Sequence, residues 1–170
     1  MSFPLNMMRD YPRLVLLALA VASFSMLGFG LYLQHVEGLE PCPMCVVQRY
    51  AFILVAVVAL LLSLLSSQSV RVGGLLLMVL LAGFGAFVAA RQTWLQWYPP
   101  EILSCGRDFY GMIESFPLKR AIPMIFRGSG DCSVVDWTFL GLSIANWSFI
   151  YFASVIVLAL VMLTQRRGWH

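Results

Sequence analysis

Charge is what this sequence has least of. Lys and Arg number 11 and Asp and Glu 8 in 170 residues, so only 11% of the chain is charged. That is too little to solvate the surface of a water-soluble domain. With 61% hydrophobic residues and a mean hydropathy of +0.85, the chain falls in the membrane class. The net charge of +3 comes without a Lys/Arg run, which removes nucleic acid as a partner. Histidine is scarce too: His35 is a lone loop residue and His170 is the last residue, so neither builds a metal centre. Val46, not His, follows Cys45, which excludes covalent c-type haem. There is no internal repeat and no low-complexity tract.

What the chain has instead is long apolar runs. Arg9 and Arg13 precede a run from Leu14 to Leu33, long enough to span a bilayer and too long for a signal-peptide core. Further spans are expected at about residues 46–65, 72–90 and 147–164, with Ser66 to Arg71 a tight connection. Glycines 73, 74, 83 and 85 in the third span either let helices approach closely or are filler. The expected fold is an all-α integral membrane protein. It is one domain over 1–170, a four-transmembrane-helix bundle with loops at 34–45 and 91–146.

Two spans separate these loops, so both lie on one side and both termini on the other. The termini and the short turn hold Arg9, Arg13, Arg71, Arg166 and Arg167 in short segments abutting the spans. The loop side spreads its basic residues over a longer stretch and holds every acidic residue except Asp10. The positive-inside rule then puts both termini in the cytoplasm and the loops outside.

All four cysteines lie on the outer side. Cys42-Pro43-Met44-Cys45 opens the second span; Cys105 and Cys132 sit in the long loop. An even set confined to an extracytoplasmic face is what disulfide chemistry predicts. Pro43 suits the first position of a helix, which makes Cys42 the N-cap and puts Cys45 in the first turn. Unpaired N–H groups and the helix dipole there favour a thiolate. A bridge this short constrains little of the unfolded chain, so the pair suits exchange better than bracing. Arg49 shares the face of Cys45 one turn deeper, a charge where the apolar run begins. It is either a partner for a thiolate or a snorkelling lipid anchor. For Cys105 and Cys132 a structural disulfide is the plainer reading, and four thiolates around zinc would be a poor knuckle pattern.

In the long loop, Phe116 to Arg127 is apolar with basic interruptions, fitting a segment on the lipid surface or an ordinary buried loop piece. Gly128-Ser129-Gly130-Asp131 gives Cys132 a pliant lead. Trp94, Trp97, Tyr98, Tyr110, Trp137 and Trp147 read as an interfacial aromatic belt, one or two of them within reach of a cofactor.

Together, Cys42-x-x-Cys45-x-x-Gln48-Arg49, Tyr98-Pro99, Cys105, Gly128-Ser129-Gly130-Asp131-Cys132 and Trp137-x-Phe139-Leu140-Gly141-Leu142 resemble the DsbB family. The resemblance covers all four spans and both loops. It implies a protein-disulfide:quinone oxidoreductase of the bacterial inner membrane. Such an enzyme reoxidises a periplasmic thioredoxin-like dithiol oxidase of DsbA type and reduces ubiquinone or menaquinone. It further implies that Cys105 forms the mixed disulfide with the oxidase and Cys132 exchanges with Cys42. Cys45 then faces the quinone beside Arg49. No metal is implied. One position departs: the family's best-known member has a histidine by the quinone near the end of the third span, where this chain has Gln92. A vitamin K epoxide reductase-type bundle is the nearest competitor, but its Cys-x-x-Cys belongs to a late helix. A non-enzymatic tetraspan scaffold with structural disulfides is the alternative of a different class.

Overall fold

The computed structural model describes residues 11–39, 41–65, 67–99, 133, 135 and 137–165. Four helices carry the fold: α1 (Pro12–His35), α2 (Pro43–Leu64), α3 (Gln68–Trp97) and α4 (Ile144–Thr164). Each is long and apolar enough to cross a membrane. Consecutive helices pack most extensively, α1 on α2, α2 on α3 and α3 on α4, and the result is a four-helix membrane bundle.

Each helix keeps a stripe of small and medium side chains inside: Leu16, Leu19 and Ala20 on α1, Val55 and Ala59 on α2, Met78 and Ala82 on α3, Val155 and Ala159 on α4. Their three- and four-residue spacing is that of one helix face. The opposite faces are as apolar as the core: Leu80 is 71% and Phe87 60% exposed. Helices apolar all round suit a lipid surround, where small residues at the interface, not a hydrophobic contrast, set how closely they approach. At Gly85 an added Cβ would stand 2.7 Å from the ring of Phe152, and at Gly74 it would collide with Leu62. Gly73 and Gly83 face open space. The glycines therefore divide into two close-approach sites and two positions with no packing role.

The turn between α2 and α3 is tied by Arg71, 7% exposed, whose Nε and Nη2 donate to the Leu65 carbonyl at 3.4 and 3.3 Å. That carbonyl follows the last turn of α2, where a backbone acceptor lacks a helical partner. Deeper in the bundle α1 and α4 are linked by Tyr151, Ser23 and the Leu19 carbonyl. The two hydroxyls have one hydrogen each, so one donates to Leu19 and the other to its neighbouring hydroxyl.

All four helices differ in extent from the expected spans: α1 takes in Gln34 and His35, expected in the first loop, α2 starts at Pro43, and α3 and α4 differ as follows. The apolar run of α3 stops at Ala90, but the helix continues through Arg91 to Trp97, residues expected in the long loop. Nothing between Arg91 and Trp97 breaks a helix; it ends at Tyr98, the residue before Pro99, where the proline ring disfavours helical geometry. Helix α4 starts at Ile144 because Ser143 caps it, its Oγ accepting from the Asn146 amide at 3.4 Å. Just before it, β1 (Thr138–Phe139) and β2 (Leu142–Ser143) form a small antiparallel hairpin. Leu140 and Gly141 make its turn, both with positive φ (53° and 78°), the pattern of a two-residue primed turn. The Trp137-x-Phe139-Leu140-Gly141-Leu142 motif is thus a hairpin lid laid against the bundle end.

Candidate functional site

Helix α1 packs closely on the bundle along its first half only. Buried residues of α1 run from Val15 to Ser23, and beyond them only Leu33 is buried. In the space left between the upper half of α1 and the other three helices lies a cavity of about 110 Å³. Its walls are mainly apolar, with Leu27, Leu33, Phe52, Ile144, Val135 and Trp137 among them. Most of its polar groups come from the start of α2 and the end of α3, Cys42, Cys45, Gln48, Arg49, Gln92 and Gln96, with Gln34 of α1 and Ser143 and Ser148 at α4 adding to them.

Helix α2 begins at Pro43 with Cys42 as N-cap, the geometry expected from the sequence. Cys42 is extended (ψ 159°), and its sulfur accepts from the Cys45 amide at 3.3 Å. A thiol sulfur thus takes the place of the usual capping oxygen, and it receives one of the N–H groups a helix leaves without an intrahelical partner. The two sulfurs are 2.9 Å apart. Cys42 is buried and Cys45 half-buried, so the second cysteine is the one more open to the cavity. Both also receive a side-chain donor. Gln92 Nε2 lies 3.2 Å from the Cys45 sulfur and 3.4 Å from that of Cys42. Helix α3 delivers Gln92 only because it continues past its apolar run.

Arg49 lies one turn beyond Cys45 and lines the same cavity. Its guanidinium reaches across to α1, donating from Nη1 to Gln34 Oε1 and from Nη2 to the Gly30 carbonyl at 3.1 Å. Gly30 is close to this group: a Cβ there would sit 3.9 Å from Nε. The arginine thereby clips α1 and α2 together beside the cavity. The wall between α3 and α4 is also polar. Thr93 donates to Asn146 at 2.8 Å, and Ser143 donates to Gln96 at 2.7 Å.

Above the cavity lies an aromatic group. Trp137 meets Phe29 of α1 edge-on at 5.3 Å and stacks parallel to Phe139 at 6.1 Å. The Trp147 indole donates to the Phe139 carbonyl at 3.1 Å, fastening the hairpin to α4. Of the expected aromatic belt, Trp137 is the member that lines the cavity among the described residues. Cys105, Cys132, Tyr110, the 116–127 segment and the glycine-rich lead before Cys132 lie outside the described residues.

Sequence reasoning placed Cys42, Cys45 and Arg49 together, and the structure brings them to one cavity. It gave no role to Gln34, Gln48 or Gln96, and named Gln92 only as a substitution. The available signal was an amide inside or beside an apolar run, which is costly unless partnered.

An apolar cavity beside a capped Cys-x-x-Cys, with an arginine in its wall, suits a thiol–disulfide centre. The family description "Disulfide bond formation protein DsbB" matches residues 12–162. Relatives described as disulfide bond formation protein B share most of the sequence. The one from Polaromonas sp. (strain JS666) is 66% identical over 154 residues, 91% of this chain and 92% of the relative. That from Acidovorax sp. (strain JS42) is 62% identical over 161 residues, 95% and 92% of the two chains. That from Aromatoleum aromaticum is 52% identical over 159 residues, 92% and 95%. With the four membrane-spanning helices, these matches set aside the vitamin K epoxide reductase type and the scaffold, and the chain belongs to the DsbB family of membrane disulfide bond formation proteins.

Proposed function

We infer that this protein reoxidises a periplasmic thioredoxin-like dithiol oxidase of DsbA type and delivers the electrons to a membrane quinone, ubiquinone or menaquinone. The observation that carries the reading is that Cys42, Cys45 and Arg49 share one small cavity with largely apolar walls. A dry cavity of about 150 Å³ is known to hold a benzene ring, so about 110 Å³ is on the scale of a ring rather than of a long isoprenoid tail. The tail would remain in lipid. Carbonyl oxygens on such a ring need donors, and Arg49 and Gln92 bring N–H groups to the cavity wall. The residues present therefore fit a quinone head.

In this reading Cys105 takes the oxidase as a mixed disulfide and Cys132 exchanges with Cys42. Cys45 faces the quinone beside Arg49. Each thiol–disulfide exchange forms one S–S bond and breaks another, so the cysteine pairs move two electrons without net change. The quinone supplies the terminal oxidation, accepting the two electrons and two protons that the oxidase dithiol loses. The chain's part is to cap and orient the Cys42–Cys45 pair at a helix N-terminus, where a thiolate is favoured. Arg49 adds positive charge to the same wall, in a water-poor setting where such charge acts strongly. The cysteines face the periplasm of the bacterial inner membrane and both termini face the cytoplasm, as the arginine distribution favours.

The test is a purified-protein assay with a reduced dithiol oxidase and soluble ubiquinone and menaquinone analogues. Oxidase dithiol should be lost in step with quinone, and the loss should require all four cysteines. Dithiol oxidation that proceeds at the same rate without quinone would overturn the reading.

A further inference from the structure

Two glutamines face each other inside the bundle, and neither has been given a part in the thiol–disulfide exchanges just described. Gln48 and Gln92 are 3% and 4% exposed, among the most buried polar side chains described. A buried amide is costly unless its polar atoms find partners. Gln48 Nε2 donates to Gln92 Oε1 at 2.6 Å. With its oxygen held there, the Gln92 amide presents Nε2 to the sulfurs, 3.2 Å from Cys45 and 3.4 Å from Cys42.

The geometry of this contact is specific. The sulfurs are 2.9 Å apart, so from Nε2 they subtend roughly 50°, less than half the spread of about 120° between the two hydrogens of a planar amide. The two hydrogens therefore do not take one sulfur each. A single N–H is shared between both. The Cys45 backbone amide already serves the Cys42 sulfur. Gln92 extends hydrogen bonding to Cys45, and does so without having to move when charge passes from one sulfur to the other.

Building on the relay reading, we propose that Gln92 is a catalytic residue of the Cys42–Cys45 pair, stabilising the thiolate on whichever sulfur carries it, and that Gln48 is the positioning residue that aims it. Attack of an incoming thiolate on the Cys42 sulfur forms a new S–S bond. It breaks the Cys42–Cys45 bond, whose electron pair remains on Cys45 as a thiolate. When the reduced pair recloses, the two thiols give up two protons and two electrons to the quinone as oxidant, and Cys42 enters the new S–S bond as a thiolate. Negative charge therefore visits both sulfurs in each cycle, and the shared N–H meets it at both. A hydrogen bond to a charged acceptor is about twice as strong as one to a neutral acceptor, so the contact favours thiolate over thiol.

The experiment isolates the pair and needs neither quinone nor oxidase. In the full chain carrying Cys105→Ser and Cys132→Ser, the reduced protein is alkylated with iodoacetamide across a pH series. Peptide mass spectrometry separates Cys42 from Cys45. Gln92→Leu should cut the neutral-pH alkylation rate of Cys45 about tenfold by reducing its thiolate fraction, moving the profile to higher pH with its plateau kept. Gln48→Leu, which keeps the amide but releases its aim, should move the midpoint the same way by a smaller factor. A packing role alone would alter access, lowering the plateau while leaving the midpoint in place. Midpoints that coincide with the parent's in both variants overturn the proposal. If Gln92→Leu does not fold, Gln48→Leu decides alone on the same criterion. Failure of the quinone reading would look different: the parent would not reduce quinone, yet the pH profiles would still separate.

Discussion

Arg49 and Gln34 face each other across the α1–α2 interface, the guanidinium Nη1 donating to the amide oxygen. With the second bond to the Gly30 carbonyl, this makes Arg49 a clip that holds the upper half of α1 over the cavity. A planar fork of donors is suited to engaging two acceptors at once, which a lysine ammonium does less well. The contact joins a question of charge to one of shape: the same side chain supplies a positive group to the cavity wall and sets the wall's position.

The two contributions separate by substitution. Arg49→Gln removes both and should raise the apparent KM for quinone and lower kcat, with folding and membrane insertion retained. Arg49→Lys keeps the charge and should fall between. Gln34→Leu keeps Arg49 but loses one tether; an interhelical hydrogen bond in a membrane protein is worth roughly 0.6–1.7 kcal/mol, so a KM increase of a few-fold with kcat near the parent's is expected. Steady-state kinetics with the oxidase saturating measure all three. Parent-like kinetics in Arg49→Gln would remove Arg49 from the site.

Packing predicts an opposite outcome at two glycines separated by one residue. Phe152 is fully buried, presses on Gly85 and has Phe52 at 4.5 Å on its other side, so the ring has little room to yield. Gly85→Ala should destabilise the bundle by about 1–3 kcal/mol through overpacking. Gly83 has no atom within 4 Å of an added Cβ, and Gly83→Ala should be neutral or slightly stabilising. Unfolding in mixed detergent micelles reads both, and equal effects would contradict the packing described.

These glycines show where sequence reading stops. Gly83 and Gly85 sit in the same apolar run, and nothing local distinguishes them; the difference is made by Phe152, on another helix. Local chemistry was legible. Proline at the first helical position fixed the start of α2, and with it Cys42 as cap and Arg49 on the face of Cys45. The end of α3 was not legible from hydropathy, because Arg91 and Gln92 interrupt the apolar run while remaining good helix formers. That extension is what carries Gln92 to the sulfurs. Its partner Gln48 is 44 residues away in sequence, and a contact set by the packing of two helices leaves no local mark.

Orientation in the membrane is open to labelling. Ser67 is exposed in the short turn between α2 and α3, on the side assigned to the cytoplasm by Arg13 and Arg71. In a chain without other cysteines, Ser67→Cys should react with a membrane-impermeant maleimide only after the membrane is opened. Cys105 as the sole cysteine should react in intact spheroplasts. Reversed labelling would invert the topology and move the Cys42–Cys45 site to the cytoplasmic face.

The division of labour between the cysteine pairs is tested by trapping. Cys42 is buried in the wall of a cavity of ring size, a poor target for a protein-sized partner. Cys45, though more open, faces the same cavity. In the proposed relay a thioredoxin-like oxidase is therefore met by a cysteine elsewhere, Cys105. Removing its resolving partner should arrest the exchange at the first bond: Cys132→Ser, mixed with the oxidase, should accumulate a covalent adduct through Cys105 that reductant dissolves. Cys105→Ser should give no adduct at all. Non-reducing electrophoresis followed by peptide mapping of the linked pair distinguishes the outcomes. An adduct mapped to Cys42 or Cys45 would mean that the oxidase reaches the helix-capped pair directly, and the order of the relay would have to be reversed.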